Sequence, residues 1–357
     1  MKKVISMLTL LAVLFSLVIS ASATTTSNRN QKTVLFDETD YVGLSLEEEG
    51  EKKLREAGYS EQLIESMPKE TVEKIGATVS ATQTISYYME TKDAQGTAQL
   101  SRISAEEYET AVEEEMLARA QKIASEITVT DENGNVISEP TKSQISPQRA
   151  SASIDSGSLA VTTTLYQVDG GQLSQYMVVS EFSWSTPPEF RGSDYFGITR
   201  DSNCSVVPGT FGNSTYYKEY RYYYLATNNG VVSSLNSTND YNDSNLPNED
   251  SAATGFVINF AMPGDVNPPS SMLVGSSFLS RNYANMQGGV WYQGVLQSPS
   301  VVPQNFNHFS TYWHQKSTKL FGGFSLSIPF GASFTVSPEN KFSNPVEDTI
   351  LATWNKK

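Results

Sequence analysis

The sequence predicts an α+β protein in which a small helical N-terminal domain precedes an all-β, antiparallel, sandwich-like C-terminal domain. Three observations carry that expectation. Helix caps and four-residue apolar spacing occur only before residue 128. From Ser158 onward, stretches rich in Val, Thr and Tyr alternate with turns dense in Gly, Pro, Asn and Asp. Between the two, residues 139–157 are rich in Ser, Pro, Gln and Ala and have no apolar period, which reads as a linker.

Residues 1–23 read as an export signal. Lys2 and Lys3 are followed by the apolar run Val4 to Ile19 and then by Ala21-Ser22-Ala23, the order positive, apolar, small that signal peptidase reads. The run of about 16 residues is shorter than the roughly 20 that a membrane-spanning helix needs. The chain is therefore expected to be secreted, with its working part starting near Thr24.

Residues 24–138 form the expected acidic, helix-rich N-terminal domain, which could be removed as a pro-segment. Of the 39 acidic residues, 24 lie between residues 24 and 150. Ser45 and Glu48 make a capping box, so a helix is expected from Leu46 to Ala57 and Gly58 suits its end. Ser60 can cap a second helix that stops before Pro68, and Pro68 can open a third. Thr78 to Glu90 reads as strand. Ser104 and Glu107 make a second capping box before the longest expected helix, Ala105 to Glu126, whose Tyr108, Val112, Met116, Ala120 and Ala124 recur every four residues.

Residues 158–357 form the expected β domain. Leu159–Val168 and Leu173–Trp184 flank Asp169-Gly170-Gly171 as a hairpin. Further strands fit Tyr216–Thr227, Val231–Leu235, Thr254–Met262, Met272–Ser280, Gly289–Gln297, Phe309–Gln315 and Gly323–Ser337. In the last, Phe324, Leu326, Ile328, Phe330, Ala332, Phe334 and Val336 hold the even positions. A pore-forming hairpin shows such a row, but Pro329 and Gly331 divide it into pieces shorter than the 9–11 or so residues a spanning strand needs. A half-buried core strand or hairpin is the expectation.

Charge and composition exclude some functions. With 25 basic against 39 acidic residues the net charge is −14, which repels nucleic acid and anionic membranes. The one cysteine, Cys204, cannot form an internal disulfide and reads as a buried thiol. The two histidines, His308 and His314, have five residues between them and no H-E-x-x-H motif. There is no G-x-S-x-G, Walker A, G-x-G-x-x-G or C-x-x-C motif. A Ser/His/Asp triad or two glycosidase carboxylates leave no local signature.

Two segments can recognise a ligand. Trp184 to Gly197 holds Trp184, Arg191, Asp194 and Tyr195 around a stiff Pro187-Pro188; with a closed connection, Arg191 would instead pair with Asp194. In the second, Tyr220, Tyr222 and Tyr224 alternate on one face of a strand with Lys218 and make a row suited to sugar rings or an extended peptide. Asn236 to Asp250 reads as a loop whose Asp240, Asp243 and Asp250 are weak calcium candidates without EF-hand spacing. No other cofactor is implied.

The function expected is that of a secreted, non-enzymatic binding protein at or outside the cell envelope, with a glycan, peptide or protein partner, no nucleic acid and no transmembrane segment in the mature chain. The alternatives are an extracellular hydrolase with scattered carboxylates and a membrane-active, bacteriocin-like toxin.

Overall fold

The computed structural model describes residues 31–357 apart from 93–97, 111–115, 140–156, 169–174, 187, 189–190, 245, 247, 251–253, 297–303, 316–324, 328–331, 338–341, 343–344 and 355–357. The expected signal peptide and nearly all of the expected linker lie outside the described residues.

The body is mostly antiparallel β-sheet with a few helices. In the first third of the chain lie β1 (Lys32–Leu35), a 3-10 turn (Glu38–Tyr41), α1 (Leu46–Glu56), α2 (Glu61–Ser66) and α3 (Lys69–Gly76). Then come β2 (Thr78–Lys92), β3 (Ala98–Ile103), α4 (Ala105–Thr110), α5 (Met116–Ser125), β4 (Thr128–Thr130) and β5 (Val136–Ser138). The rest is strand: β6 (Ser158–Val168), β7 (Gln175–Thr186), β8 (Ser193–Arg200), β9 (Cys204–Val206), β10 (Gly212–Thr227), β11 (Gly230–Asp243), β12 (Asn248–Asp250) and β13 (Gly255–Ala261). The last are β14 (Ser271–Leu273), β15 (Ser277–Leu279), β16 (Asn282–Leu296), β17 (Gln304–Trp313), β18 (Ser325–Ser327), β19 (Thr335–Ser337) and β20 (Val346–Trp354).

Both capping boxes form. Ser45 accepts from the Glu48 amide while Glu48 reaches back to Ser45, and Ser104 and Glu107 do the same ahead of α4. Ser60 caps α2 and Pro68 precedes α3, as the sequence indicates. The helix expected from Ala105 to Glu126 is described as α4 and α5, with residues 111–115 between them outside the described residues.

The large sheet runs β1-β2-β6-β7-β16-β10-β11, and β3, β9 and β15 join it at its sides. The smaller sheet runs β12-β13-β8-β17-β20. The two sheets share one core: Leu159, Val161, Val178 and Phe182 from the large sheet pack with Phe196, Ile198, Phe260, Tyr312 and Ile350 from the smaller. Phe182 stacks on Phe260 at 4.7 Å. On the far side of the large sheet, Leu54, Leu63, Ile64, Val72 and Ile75 of α1–α3 bury Tyr166, Met177, Val179 and Trp291. On the far side of the smaller sheet, the β18–β19 hairpin lays Phe334 and Val336 on Tyr195, Val257 and Trp313. Of the even row read from the sequence, Phe334 and Val336 are fully buried, while Phe324, Ile328 and Phe330 lie outside the described residues.

The N-terminal strands belong to this body. β2 pairs with β6 from Thr78↔Val168 to Met89↔Ser158, and β4 pairs with β14 in parallel. The segment expected to stand as a separate helical domain supplies an interior strand of the large sheet. The reason is non-local: β6 has apolar residues to bury on both faces and needs a neighbour on each edge. Where α1 crosses α3, Gly50 and Gly76 bring the backbones together, because a Cβ at either would collide with Val72 or Leu46 carbonyl oxygen. Lys53, buried at this crossing, donates to Gly76 O at 2.5 Å and Thr78 O at 2.8 Å, so the carbonyls leaving α3 are satisfied.

Candidate functional site

A cleft opens on the helix-covered face of the large sheet. Two register rows make its floor: Tyr87–Ala160–Ser183–Gln287 and Ile85–Thr162–Glu181–Gly289, each running straight across β2, β6, β7 and β16. Residues paired across strands point the same way. Ala160, Ser183 and Gly289 are small, so the floor dips between its larger neighbours. Gly289 also lets α2 lie close, since a Cβ there would stand 2.6 Å from Leu63 Cδ1. Ala57, Gly58 and Ser60 form one wall and Tyr108 of α4 another, enclosing about 290 Å³. Tyr87 and Tyr108 hold their rings 4.6 Å apart at 31°.

Glu181 sits at the base and is 4% exposed. The Ser60 amide donates to its Oε2 at 3.1 Å and the Ser60 hydroxyl donates to its Oε1. Among the described residues no cation pairs with it. Burial pushes its carboxyl up to about 7, against the opposing pull of the Ser60 hydrogen bonds. Gln287 lines the same cleft, and its Oε1 is buried with no hydrogen-bond partner among the described residues. The cleft therefore presents a titratable carboxyl, a free amide oxygen, hydroxyls and two phenol rings. Glu181 is not among the candidate residues named from the sequence. The signal was there: one acid inside the apolar strand Tyr176 to Trp184.

The residues singled out from sequence lie elsewhere. Trp184 and Asp194 are buried between the sheets, where they flank Tyr312 and His314. Trp184 Nε1 donates to Tyr312 Oη at 2.9 Å, and Tyr312 donates in turn to Asp194 Oδ2. His314 Nδ1 lies 2.9 Å from the same oxygen, and its Nε2 lies 3.4 Å from Glu90 Oε1. Burial works against a charged His314, but Asp194 and Glu90 outweigh it and raise the imidazole to about 10. His308 has the opposite fate: burial and then Arg200 lower it to about 3, and its Nδ1 meets Tyr292 Oη at 2.7 Å. Both imidazoles are sealed from solvent, so neither can reach a substrate in this conformation.

Arg191 does not pair with Asp194. It forms a two-pronged ion pair with Asp265, 2.5 and 3.0 Å, and Arg119 joins Asp265 at 2.7 Å. Asp194 is unavailable because Tyr312, His314 and the Gln315 amide occupy it. Tyr195 packs edge-on to Phe342. Tyr222 and Tyr224 are covered by Ala120, Ala124 and Ile127 around α5, so the row expected as an open platform lies under a helix. Tyr220 is half-buried, with Lys218 Nζ 5.8 Å from its ring centroid. The other face of β10 is the open one, where Tyr223, Leu225, Val232 and Leu279 are exposed and adjacent in register.

The acidic stretch expected as a loop is mostly the strand β11. Asp240 and Asp243 are an odd number of residues apart on it and so point to opposite faces. Asp240 accepts from Tyr216 at 2.5 Å, and the side chain of Asp250 lies outside the described residues. Among the described residues no three His, Cys, Asp or Glu side chains are placed to hold a metal ion. Cys204 is fully buried, and burial raises its thiol to about 11. Among them, too, no helix is long and apolar enough to cross a membrane.

No family model matches the chain, and no curated protein matches it. Among solved structures, the membrane-inserted form of the Clostridium perfringens NetB toxin is similar at 8% identity, covering 56% of this chain and 91% of its own, with a TM-score of 0.20. Clostridium perfringens delta-toxin is similar at 6% identity over 56% of this chain and 85% of its own, with a TM-score of 0.21. Likenesses of this extent carry no functional argument.

Proposed function

We propose that this chain is a secreted, non-enzymatic binding protein acting at or outside the cell envelope, built as a two-sheet sandwich, and that its ligand seats in the cleft over Glu181. One observation carries this reading: a concave site on a four-strand floor, where two tyrosines and several polar groups converge. Pockets of this kind, with a titratable group out of its usual range, are the ones ligands use. A glycan or peptide segment fits the mixture of phenol faces and hydrogen-bonding groups. The hydrolase alternative requires two carboxyls on either side of the scissile bond, and Glu181 is the one carboxyl among the described residues lining the cleft.

The test is retention of the secreted protein on cell-wall material and on a panel of soluble glycans and peptides. Filling the cleft through Ser183→Phe should abolish retention, while Tyr223→Ala, on a different face, should leave it. Equal retention of both variants would remove the cleft from the binding reading.

A second reading, membrane activity, would require the β18–β19 hairpin to leave the smaller sheet, where Phe334 and Val336 are buried. Release of dye from liposomes at low protein concentration would support it. Intact liposomes at micromolar protein would count against it.

A further inference from the structure

The cleft is one-sided in its chemistry. A buried carboxyl ordinarily has a cationic partner, because an unpaired buried charge is costly. Among the described residues most other interior acids follow that rule, Asp348, which accepts from the Thr84 hydroxyl, being an exception. Asp265 has Arg191 and Arg119, Asp194 and Glu90 share His314, and Glu219 has Arg221. Among the described residues Glu181 is held by one serine alone. Among the described residues no Lys, Arg or His lines the cleft around it.

The second polar group with an unmet need is also an acceptor. Gln287 Oε1 is buried without a partner among the described residues, on the row next to Glu181. A donor arriving with the ligand would satisfy this acceptor. The third feature is the pair of phenol rings from Tyr87 and Tyr108. Ring faces within about 6 Å attract a cation.

From these three features together we infer that the cleft binds a cationic head group, a primary ammonium or guanidinium, which pairs with Glu181, donates to Gln287 Oε1 and lies against Tyr87 and Tyr108. The inference rests on the cleft being the binding site and specifies what enters it. The volume of about 290 Å³ suits a head group or one side chain, not a folded domain. A lysine or arginine side chain, a free N-terminus and a polyamine share the required chemistry. The probes below separate them.

The experiment is calorimetric titration of the full secreted chain at pH 8 with n-butylammonium, with arginine methyl ester and with n-butanol as the neutral isostere. The alkylammonium or the guanidinium should bind at least tenfold more tightly than butanol. Glu181→Gln should reduce that preference to near unity, and Tyr108→Leu should weaken the cation selectively. Urea midpoints recorded beside each titration show that the variants are folded. Cation and butanol binding alike, an unchanged preference in Glu181→Gln, or no cation binding at millimolar concentration would each overturn the inference. If neutral glycans bind the wild type and Glu181→Gln equally but fail with Ser183→Phe, the cleft remains the site and only its cationic ligand is refuted.

Discussion

His308 and His314 are both fully buried, six positions apart along one extended segment, and the fold holds them in opposite charge states. His314 is a cation between Asp194 and Glu90, while His308 is a neutral ring against Tyr292 and near Arg200. Each sets its own pH limit on stability.

His314 is raised from 6.5 to about 10 in the folded protein. Its stabilisation is complete below about pH 6.5 and is lost as pH rises through about 10. His314→Gln removes the cation and leaves two buried carboxylates facing each other, a loss of about 3–5 kcal/mol. Urea unfolding at pH 7 and pH 10 should show the gap between wild type and variant shrinking at the higher pH. A constant gap would mean that the imidazole is uncharged.

His308 is lowered to about 3, so the unfolded chain takes up its proton first. The stabilisation is present above about pH 6.5 and is lost as pH falls toward 3. His308→Gln keeps an acceptor for Tyr292 and removes the titration. Its unfolding free energy should fall less steeply between pH 6.5 and pH 4 than that of the wild type.

Glu181 is raised from 4.5 to about 7, so its contribution is present below about pH 4.5 and is lost as pH rises through about 7. Glu181→Gln should therefore be more stable than the wild type at pH 8, by roughly 3 kcal/mol at most. The advantage should vanish at pH 4. Melting curves at the two pH values decide it.

Gly50 and Gly76 are the contact points of α1 and α3. Both have backbone, not a side-chain end, where a Cβ would go, so nothing can swing aside. Gly50→Ala and Gly76→Ala should each cost about 1–3 kcal/mol, as overpacking does. The double variant should cost less than the sum, because the first change already separates the helices.

Tyr222 and Tyr223 are neighbours on β10 with opposite surroundings, 2% and 39% exposed. Tyr222→Ala should cost about 3–5 kcal/mol, in the range of large buried side chains. Tyr223→Ala should stay within about 0.5 kcal/mol. Denaturant midpoints of the two variants would show whether α5 covers the strand as described.

What the sequence made legible was local. Ser45 with Glu48, Ser104 with Glu107, and Ser60 are caps that act within four residues, and each forms as read. The Phe334 and Val336 row is a period-two pattern and needs no partner to be seen. Arg191 shows where legibility stops: Asp194 is nearer in sequence, but Asp265, 74 residues away, is the acid that the fold brings to it. The tyrosine row failed in the same way. Alternation says which tyrosines share a face, but not that α5 lies on Tyr222 and Tyr224. The cleft was hidden for the same reason, because its floor takes two residues from each of four strands that only the register aligns.

The pairing of β2 with β6 changes what a chain break in residues 139–157 would do. Each half would leave with an unmatched strand: β2 would lose β6, and β6 would offer a bare edge of eleven residues. Such halves are complementary fragments in the sense used for split reporters. A protease nick there would yield two polypeptides that co-elute on a sizing column and separate only in denaturant. Expressed apart, the halves would aggregate through the open edge or reassemble on mixing.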